Sequence, residues 1–304
     1  MAEHIAVLAN PLSGKGRGQA AAEAAVVHLR ERGAEVRMYG GGSAEDTARL
    51  AATALQAGPR ALVVVGGDGT LSGVLDIVCG SAIPVVLVPA GTGNDLARAL
   101  SLPRGDPAAA AEIALTGVAR AVDVGEVRTA AGLRKFLTIA ALGFDAKVSD
   151  RTNRLRWPHG AARYHLALLI ELMRLRPMDF TLAVDGEPPA RSAGTLIAVG
   201  STSSYGGGMP ICVGAVPDDG LLDIVHVASL GRLRLLRLFP LLLRGTHLTR
   251  AEVVHRRART VAVSAPGLVV YADGERLGED ECTISVLPAA LLMMVPEASD
   301  GRVR

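Results

Sequence analysis

The sequence has few cysteines, little net charge and no long apolar run. Its three cysteines, Cys79, Cys212 and Cys282, are scattered, so they predict neither a disulfide framework nor a zinc site and favour a reducing, cytoplasmic setting. A net charge of +2 over 304 residues is too small to indicate nucleic-acid binding. No apolar run approaches the roughly 20 residues of a membrane span, so any membrane contact is expected to be peripheral.

Aromatic residues are also scarce, at 3% of a chain that is 49% hydrophobic. The core must therefore consist mainly of Ala, Val, Leu and Ile side chains. The 35 glycines and 16 prolines predict many tight turns, as α/β folds require. The length is sufficient for two compact domains.

The first 120 residues alternate between buried strands and helices. Strands are predicted near residues 5–9, 35–39, 61–65 and 85–88, and helices near 19–32, 43–56, after 70, 94–100 and 107–117. This alternation predicts an α/β fold with a doubly wound parallel sheet, in which ligands bind outside the carboxyl ends of the strands.

The pattern changes after about residue 122 to short β-branched segments separated by turns. These segments predict an antiparallel sheet or β-sandwich and cover residues 122–128, 136–141, 180–185, 194–200, 222–227, 260–264 and 268–272. We therefore predict an α/β domain over 1–121, a β-rich domain over 122–288, and a segment 289–304 that returns to the first domain.

Two helical segments, 161–176 and 232–244, are rich in both leucine and arginine. Helices of this composition lie in anionic membrane surfaces, or they pack in a core while their arginines extend to water. The composition leaves both alternatives open.

Three glycine-rich loops follow predicted strands of the first domain. Gly66-Gly67-Asp68-Gly69-Thr70 follows the third strand, and its glycines allow backbone N–H groups to approach a ligand. Thr70 is predicted to cap the next helix, which would suit a phosphate. Asp68 would repel a bare phosphate, so its presence indicates a cation or a reacting hydroxyl nearby, or else a plain strand-to-helix turn.

The other two loops carry similar chemistry. Residues 10–16 (NPLSGKG) follow the first strand, and residues 89–95 (PAGTGND) follow the fourth, where Asn94 is predicted to cap a helix and Asp95 to lie in its first turn. Neither loop has the spacing of a Walker A or dinucleotide-binding motif. All three loops are expected to converge on one sheet edge, although each by itself could be an ordinary turn.

Two acidic turns lie in the second domain, at Asp218-Asp219-Gly220 and Asp273-Gly274-Glu275. Asp-Gly pairs favour hairpin turns, so each segment could be purely structural. The carboxylates could instead bind a cation or accept a proton from an attacking hydroxyl.

These loops and turns, in this order, resemble those of the diacylglycerol kinase catalytic family, which includes bacterial lipid kinases and sphingosine and ceramide kinases and is distantly similar to NAD kinases. Further matching segments are residues 142–145 (LGFD), 205–209 (YGGGM), 218–223 (DDGLLD), 273–275 (DGE) and 286–288 (VLP). Ordered motifs over nearly the whole chain make the resemblance specific.

The resemblance implies a role for particular residues. The nucleotide would be bound by Asn10, Pro11, Leu12, Ser13, Gly14, Gly66, Gly67, Asp68, Gly69, Thr70, Leu71, Ser72 and Thr92. A structural Mg²⁺ site would involve Asp219 with the carbonyls near Val216 and Leu221. Glu275 would accept the proton of the substrate hydroxyl, Asp68 would be its partner or the base itself, and Asp273 would support it. One departure is Gly40-Gly41-Gly42, where the family often has a nucleotide-contacting threonine.

The resemblance thus implies an ATP- and Mg²⁺-dependent kinase that phosphorylates a lipid hydroxyl, with diacylglycerol as the leading acceptor. It also implies a cytoplasmic protein at the membrane surface, with no nucleic-acid partner and with a homodimer as one compatible assembly. A kinase with a soluble alcohol acceptor and a non-catalytic nucleotide sensor are the two alternatives. Phosphoryl transfer fits these residues, because it needs positioned phosphates, a cation and an oriented nucleophile.

Overall fold

The computed structural model describes residues 4–10, 13–158 and 161–297. Within them the chain forms two compact units, one comprising the residues up to Asp123 together with those from Ala289 onward, and the other comprising Val124–Pro288. No helix among the described residues is long and apolar enough to cross a membrane.

The first unit is a parallel sheet covered by helices. Its strands are β1 (His4–Ala9), β2 (Glu35–Gly40), β3 (Ala61–Gly66) and β4 (Val85–Pro89), and its helices are α1 (Arg17–Glu31), α2 (Ala44–Gln56), α3 (Asp68–Ser72), α4 (Leu75–Val78), α5 (Asp95–Ala99) and α6 (Pro107–Thr116). Every residue of β1, β3 and β4 is buried, as a sheet with helices on both faces requires. β1 pairs in parallel with β2 and β3, and β3 pairs in parallel with β4.

The chain leaves this unit through β5 (Val118–Thr129) and returns at the end of β13 (Glu275–Val295). Met293 of β13 pairs in parallel with Val85 of β4. The Asp123 carboxylate accepts a hydrogen bond from the Ala289 amide at 2.8 Å, so a buried side chain fixes the point of return. Residues 298–304 of the predicted returning segment lie outside the described residues.

The second unit is mainly antiparallel. Its remaining strands are β6 (Gly132–Phe136), β7 (Ile139–Gly143), β8 (Met178–Val184), β9 (Ala190–Gly200), β10 (Leu222–Ala228), β11 (Val253–Ala258) and β12 (Thr260–Ala272), and its helices are α7 (Phe144–Arg154), α8 (Ala161–Met173) and α9 (Arg232–Leu243). β9 and β12 each pair with β8 along one half and with β7 along the other, so the sheet folds around an aliphatic core. A second core packs residues of α7, α8 and α9 against β9 and β10.

Several predicted boundaries are wrong. The segments 260–264 and 268–272 belong to the single strand β12, whose register with β13 shifts between Ser264 and Val269. The segment 136–141 is interrupted, because β6 ends at Phe136 and β7 begins at Ile139. Helix α7 and strand β11 were not predicted; α7 is rich in charged residues and has few apolar ones, and β11 contains two arginines among six residues.

The prediction that Thr70 caps the helix after β3 is also wrong. That helix, α3, begins at Asp68, and its N-cap is Gly67 without a side-chain hydrogen bond. The Thr70 amide already donates to the Gly67 carbonyl at 3.0 Å, so Thr70 lies inside the first turn. Asn94 occupies the N-cap position of α5, as predicted. Its side chain, however, forms hydrogen bonds with the Gly91 backbone and none with the amides of the helix.

Candidate functional site

The loop after β1 packs directly on the loop after β4. Gly14 has a φ of +57°, and a Cβ there would lie 1.9 Å from the Ala90 carbonyl oxygen. Arg17 connects the same loops, since its Nε donates to the Gly14 carbonyl at 3.0 Å and its Nη2 donates to the Gly91 carbonyl at 3.2 Å. Only glycine fits at position 14, for both conformational and steric reasons.

The loops after β3 and β4 also meet backbone to backbone. A Cβ on Gly91 would lie 2.5 Å from the Gly67 Cα atom, closer than such contacts occur. Asn94 closes the loop after β4, because its side chain accepts from the Gly91 amide and donates to the Gly91 carbonyl, both at 3.1 Å. The glycines at 67 and 91 therefore serve loop packing, whatever they contribute to ligand binding.

The structure thus brings the three glycine-rich loops together at the carboxyl edge of the parallel sheet. Gly69 and Thr92 are exposed there, and a Cβ at Gly69 would meet no atom within 4 Å, so its backbone faces open space. Leu71 is fully buried, which assigns its side chain to the core. Pro11 and Leu12, predicted to contact nucleotide, lie outside the described residues.

Asp68 has a structural task that the sequence did not indicate. One carboxylate oxygen accepts the Asp95 amide at 2.8 Å, and the other accepts the Leu96 amide at 3.2 Å. The carboxylate therefore caps α5 from a distance of 27 residues along the chain. Backbone amides therefore engage both oxygens of the Asp68 carboxylate.

The glycine triplet after β2 has a steric explanation at one position. A Cβ on Gly41 would lie 2.8 Å from the Thr47 amide nitrogen, at the start of α2. Gly40 and Gly42 have open space. The departure from the family pattern at 40 therefore leaves room that a threonine side chain could fill.

In the second unit, Asp273 and Gly274 form the tight turn between β12 and β13. Their φ angles are +46° and +85°, and Ala272 pairs with Glu275 across the turn. Two positive φ angles at Asp-Gly are typical of a type I′ hairpin, so the structural interpretation of this motif is confirmed.

The Asp273 carboxylate anchors that hairpin. It accepts hydrogen bonds from the Leu137 amide at 2.8 Å, the Thr138 amide at 2.9 Å and the Thr138 hydroxyl at 2.5 Å. These contacts hold the turn against the start of β7. Asp273 therefore positions the turn residues, and its supporting role in catalysis stays a prediction.

Glu275 differs from both aspartates. It is exposed, and within the described residues no hydrogen bond or ion pair engages its carboxylate. A proton acceptor needs an accessible lone pair. Of the three predicted catalytic residues, Glu275 has the carboxylate that is available to a substrate, and it follows a turn that Asp273 holds in place.

Both carboxylate oxygens of Asp219, in the acidic turn, are engaged by neighbouring residues. One oxygen of Asp219 accepts the Leu221 amide at 3.0 Å, and the other is paired with Arg257. The described residues contain no group of three His, Cys, Asp or Glu side chains placed to hold a metal ion. A cation at this turn would have to displace the Arg257 guanidinium, so the assignment of Val216, Asp219 and Leu221 to Mg²⁺ stays a prediction.

Sequence reasoning attached no role to Asp145, which the structure places in a buried polar cluster. Asp145 is buried in the first turn of α7 and hydrogen-bonds Tyr205. Burial raises the pKa of this carboxyl from 3.8 to about 6, although the Tyr205 hydrogen bond opposes the shift. Burial also raises the pKa of Tyr205. The matching family segments 142–145 and 205–209 were a signal of this contact, because each supplies one of its partners.

Comparison with protein families places the chain in a known class. The family model of the diacylglycerol kinase catalytic domain matches residues 4–127, and the model of the YegS C-terminal NAD kinase β-sandwich-like domain matches residues 138–295. The chain belongs to the diacylglycerol kinase family, a family of lipid kinases.

Individual relatives match over nearly their whole length. A Mycobacterium tuberculosis protein named diacylglycerol kinase is 46% identical over 293 residues, which cover 96% of this chain and 95% of the relative. A Pseudomonas fluorescens protein named "Probable lipid kinase YegS-like" is 34% identical over 308 residues, which cover 98% of this chain and 98% of the relative.

Solved structures support the fold. A Bacillus anthracis diacylglycerol kinase matches with a TM-score of 0.71 at 19% identity, covering 97% of this chain and 98% of the other. An Archaeoglobus fulgidus NAD kinase crystallised with ATP matches with a TM-score of 0.53 at 16% identity, covering 96% and 94%. The predicted fold class, an α/β fold with an N-terminal doubly wound parallel sheet like that of NAD and diacylglycerol kinases and a C-terminal β-sandwich-like domain, is confirmed.

Proposed function

We propose that the protein transfers the γ-phosphate of ATP, with Mg²⁺, to the hydroxyl of diacylglycerol and so forms phosphatidic acid. The family and the names of the two relatives above support a lipid acceptor. The observation that carries the proposal is the convergence of three glycine-rich loops at one sheet edge, with backbone exposed at Gly69.

The loops are suited to holding a polyphosphate. Their conformation is fixed by contacts between loops rather than by the ligand, as the Gly14–Ala90, Gly67–Gly91 and Arg17 contacts indicate. A preformed backbone surface positions phosphates without a large ordering cost on binding. Mg²⁺, bound with the nucleotide, would neutralise charge on the transferred phosphoryl group.

The side chains divide the remaining tasks. The Asp68 carboxylate fixes the first turn of α5 beside the loops and is engaged by two amides. The Glu275 carboxylate is exposed and unengaged among the described residues, so we assign it the role of proton acceptor from the lipid hydroxyl. Asp273 keeps the Glu275 turn against β7.

The acceptor is tested by incubating the protein with γ-labelled ATP and Mg²⁺, once with a total lipid extract and once with NAD and a panel of water-soluble alcohols. We expect label in the organic phase that comigrates with phosphatidic acid, and none after chelation of Mg²⁺. Glu275→Gln is the matched control, because it removes the base while leaving the loops unchanged.

Each alternative has a distinct outcome. Label found only in water-soluble products would establish a kinase with a soluble acceptor. ATP binding without transfer to any acceptor would establish a nucleotide sensor instead.

A further inference from the structure

Helix α9 has two apolar faces. Leu235, Leu238 and Leu242 are buried in the second unit's core, whereas Leu233 is 74% exposed and Leu236 and Leu243 are also exposed. At 100° per residue, Leu233 lies opposite the buried leucines, and Leu236 and Leu243 lie on the flank between Leu233 and the buried face. Core packing accounts for the first face and leaves the second without a partner among the described residues.

The C-terminal end of α8 adjoins the first turn of α9. Arg232 donates from Nε to the Leu172 carbonyl at 3.2 Å and from Nη2 to the Met173 carbonyl at 2.7 Å. Leu169 and Met173, four residues apart on one face of α8, are exposed. The exposed residues Leu169, Met173, Leu233, Leu236 and Leu243, together with Arg174, Arg176 and Arg237, are called the α8–α9 surface below.

This surface is strongly basic. The segment 229–250 contains five arginines and no Asp or Glu. Arg174 and Arg176 line one surface depression together with Met173 and Arg232. Within the described part of the chain, the side chains of Arg174, Arg176 and Arg237 have no acidic partner.

The nearby acidic residues do not neutralise the surface. Glu171 of α8 is buried and paired with Arg151, and Glu252 is paired with Arg234. Isolated exposed leucines are ordinary, but five large apolar side chains on two adjoining helices among unpaired arginines are characteristic of interfacial helices. The charge complement of such a surface is an anionic lipid headgroup layer.

We propose that the α8–α9 surface docks on an anionic bilayer, with the leucines and Met173 entering the headgroup–acyl boundary and the arginines pairing with lipid phosphates. The proposal concerns a docking surface outside the residues assigned to phosphoryl transfer. Docking requires no nucleotide, so its failure and the failure of the proposed reaction are distinguishable.

The test is cosedimentation without nucleotide, using vesicles of phosphatidylcholine alone or mixed with phosphatidylglycerol. We expect the wild type to bind the mixed vesicles more tightly. The double variant Leu233→Gln, Leu236→Gln should lose about tenfold in affinity, because two insertion side chains become polar while helix propensity is retained. Arg237→Gln should lose about fivefold, and only on anionic vesicles.

The matched controls lie in strand β6, which pairs with β5. Leu133 is exposed and Arg134 is its exposed basic neighbour, so Leu133→Gln and Arg134→Gln change the same residue types away from α8 and α9. Both controls should bind vesicles like the wild type. Should the double leucine variant fail to fold, Leu233→Gln alone decides, because its side chain is mostly in solvent.

Three results would overturn the proposal. One is a wild type that does not prefer anionic vesicles, and another is unchanged binding by the leucine and Arg237 variants. The third is a wild-type dimer that the leucine variant dissociates without any change in vesicle binding, since the surface would then join two copies of the chain.

Discussion

The two units hold their candidate site residues in different ways. In the first unit, backbone packs on backbone, so that Gly14 lies against Ala90 and Gly67 against Gly91. In the second unit, a side chain fixes the turn, because Asp273 accepts three hydrogen bonds from Leu137 and Thr138. The neighbouring Glu275 carboxylate is engaged by none of the described residues. The first unit thus presents a backbone surface fixed by packing between loops, and the second presents an exposed carboxylate beside an anchored turn, to which we assign the role of proton acceptor.

The largest expected effect concerns the reactive side chain. Glu275→Gln preserves shape and removes the base, so kcat should fall by about 10²–10⁴-fold. ATP affinity, measured by calorimetry, should be retained. Asp68→Asn should instead lower the melting temperature and ATP affinity, because it weakens the cap on α5. Near wild-type turnover in Glu275→Gln with an inactive Asp68→Asn would reassign the base to Asp68.

The second prediction concerns the packed backbone. In Gly91→Val the new side chain meets the Gly67 Cα atom, so the loops must separate. Overpacking should lower the free energy of unfolding by about 1–3 kcal/mol, and displacement of the loops should weaken ATP binding by about 10²-fold. Denaturant titration and calorimetry measure these effects, and a folded variant with normal ATP affinity would remove the loop from the site.

The sequence predicted more of the first unit than of the second. Four short strands with glycine-rich segments at their ends predict a parallel sheet with converging loops, because strand direction and loop position follow from local pattern alone. The Asp273–Gly274 turn is equally local and was predicted as an alternative. Asp68 is hydrogen-bonded to Asp95 and Leu96, which lie 27 and 28 positions away, and Asp219 is paired with Arg257, 38 positions away. Local pattern does not indicate contacts over such separations.

Other features were not predictable because the local signal is weak. Five of the eleven residues of helix α7 are charged, and the few side chains that it buries, Asp145 among them, lie in its first five residues. Thr70 is a residue type that favours N-cap positions, but the helix has its N-cap at Gly67, three residues earlier.

The third prediction uses the buried carboxyl of Asp145, whose pKa is raised from 3.8 to about 6. A raised folded-state pKa contributes stability below pH 4, and this contribution is lost as the pH rises through about 6, since the unfolded state releases its proton first. The loss is at most about 3 kcal/mol. The melting temperature of Asp145→Asn, which keeps an acceptor for Tyr205, should therefore rise relative to that of wild type between pH 4 and pH 7. A difference in melting temperature between the two proteins that stays constant from pH 4 to pH 7 would show that Asp145 is not held neutral by burial.

The smallest expected effect tests the Asp219–Arg257 ion pair. Both side chains are partly exposed, so Asp219→Asn and Arg257→Gln should each lower the free energy of unfolding by about 1 kcal/mol or less. The double variant should lose no more than the more destabilised single variant. Thermal melts in the presence and absence of Mg²⁺ provide the contrast, and we expect no effect of the ion on wild type. A Mg²⁺-dependent rise in melting temperature that disappears in Asp219→Asn would establish the predicted metal site.

The central claim is that the loops of the first unit bind ATP and that Glu275 of the second unit accepts the proton. The most direct test compares two variants, Gly69→Ala and Glu275→Gln, by the initial rate of lipid phosphorylation at increasing ATP concentration. A Cβ at Gly69 meets no protein atom, so that variant should fold normally and affect only the approach of a ligand. The account predicts that Gly69→Ala raises KM for ATP and recovers near wild-type turnover at saturation, whereas Glu275→Gln stays slow at every ATP concentration with KM unchanged. The reverse result, with turnover lost at Gly69→Ala and only KM altered at Glu275→Gln, would contradict it.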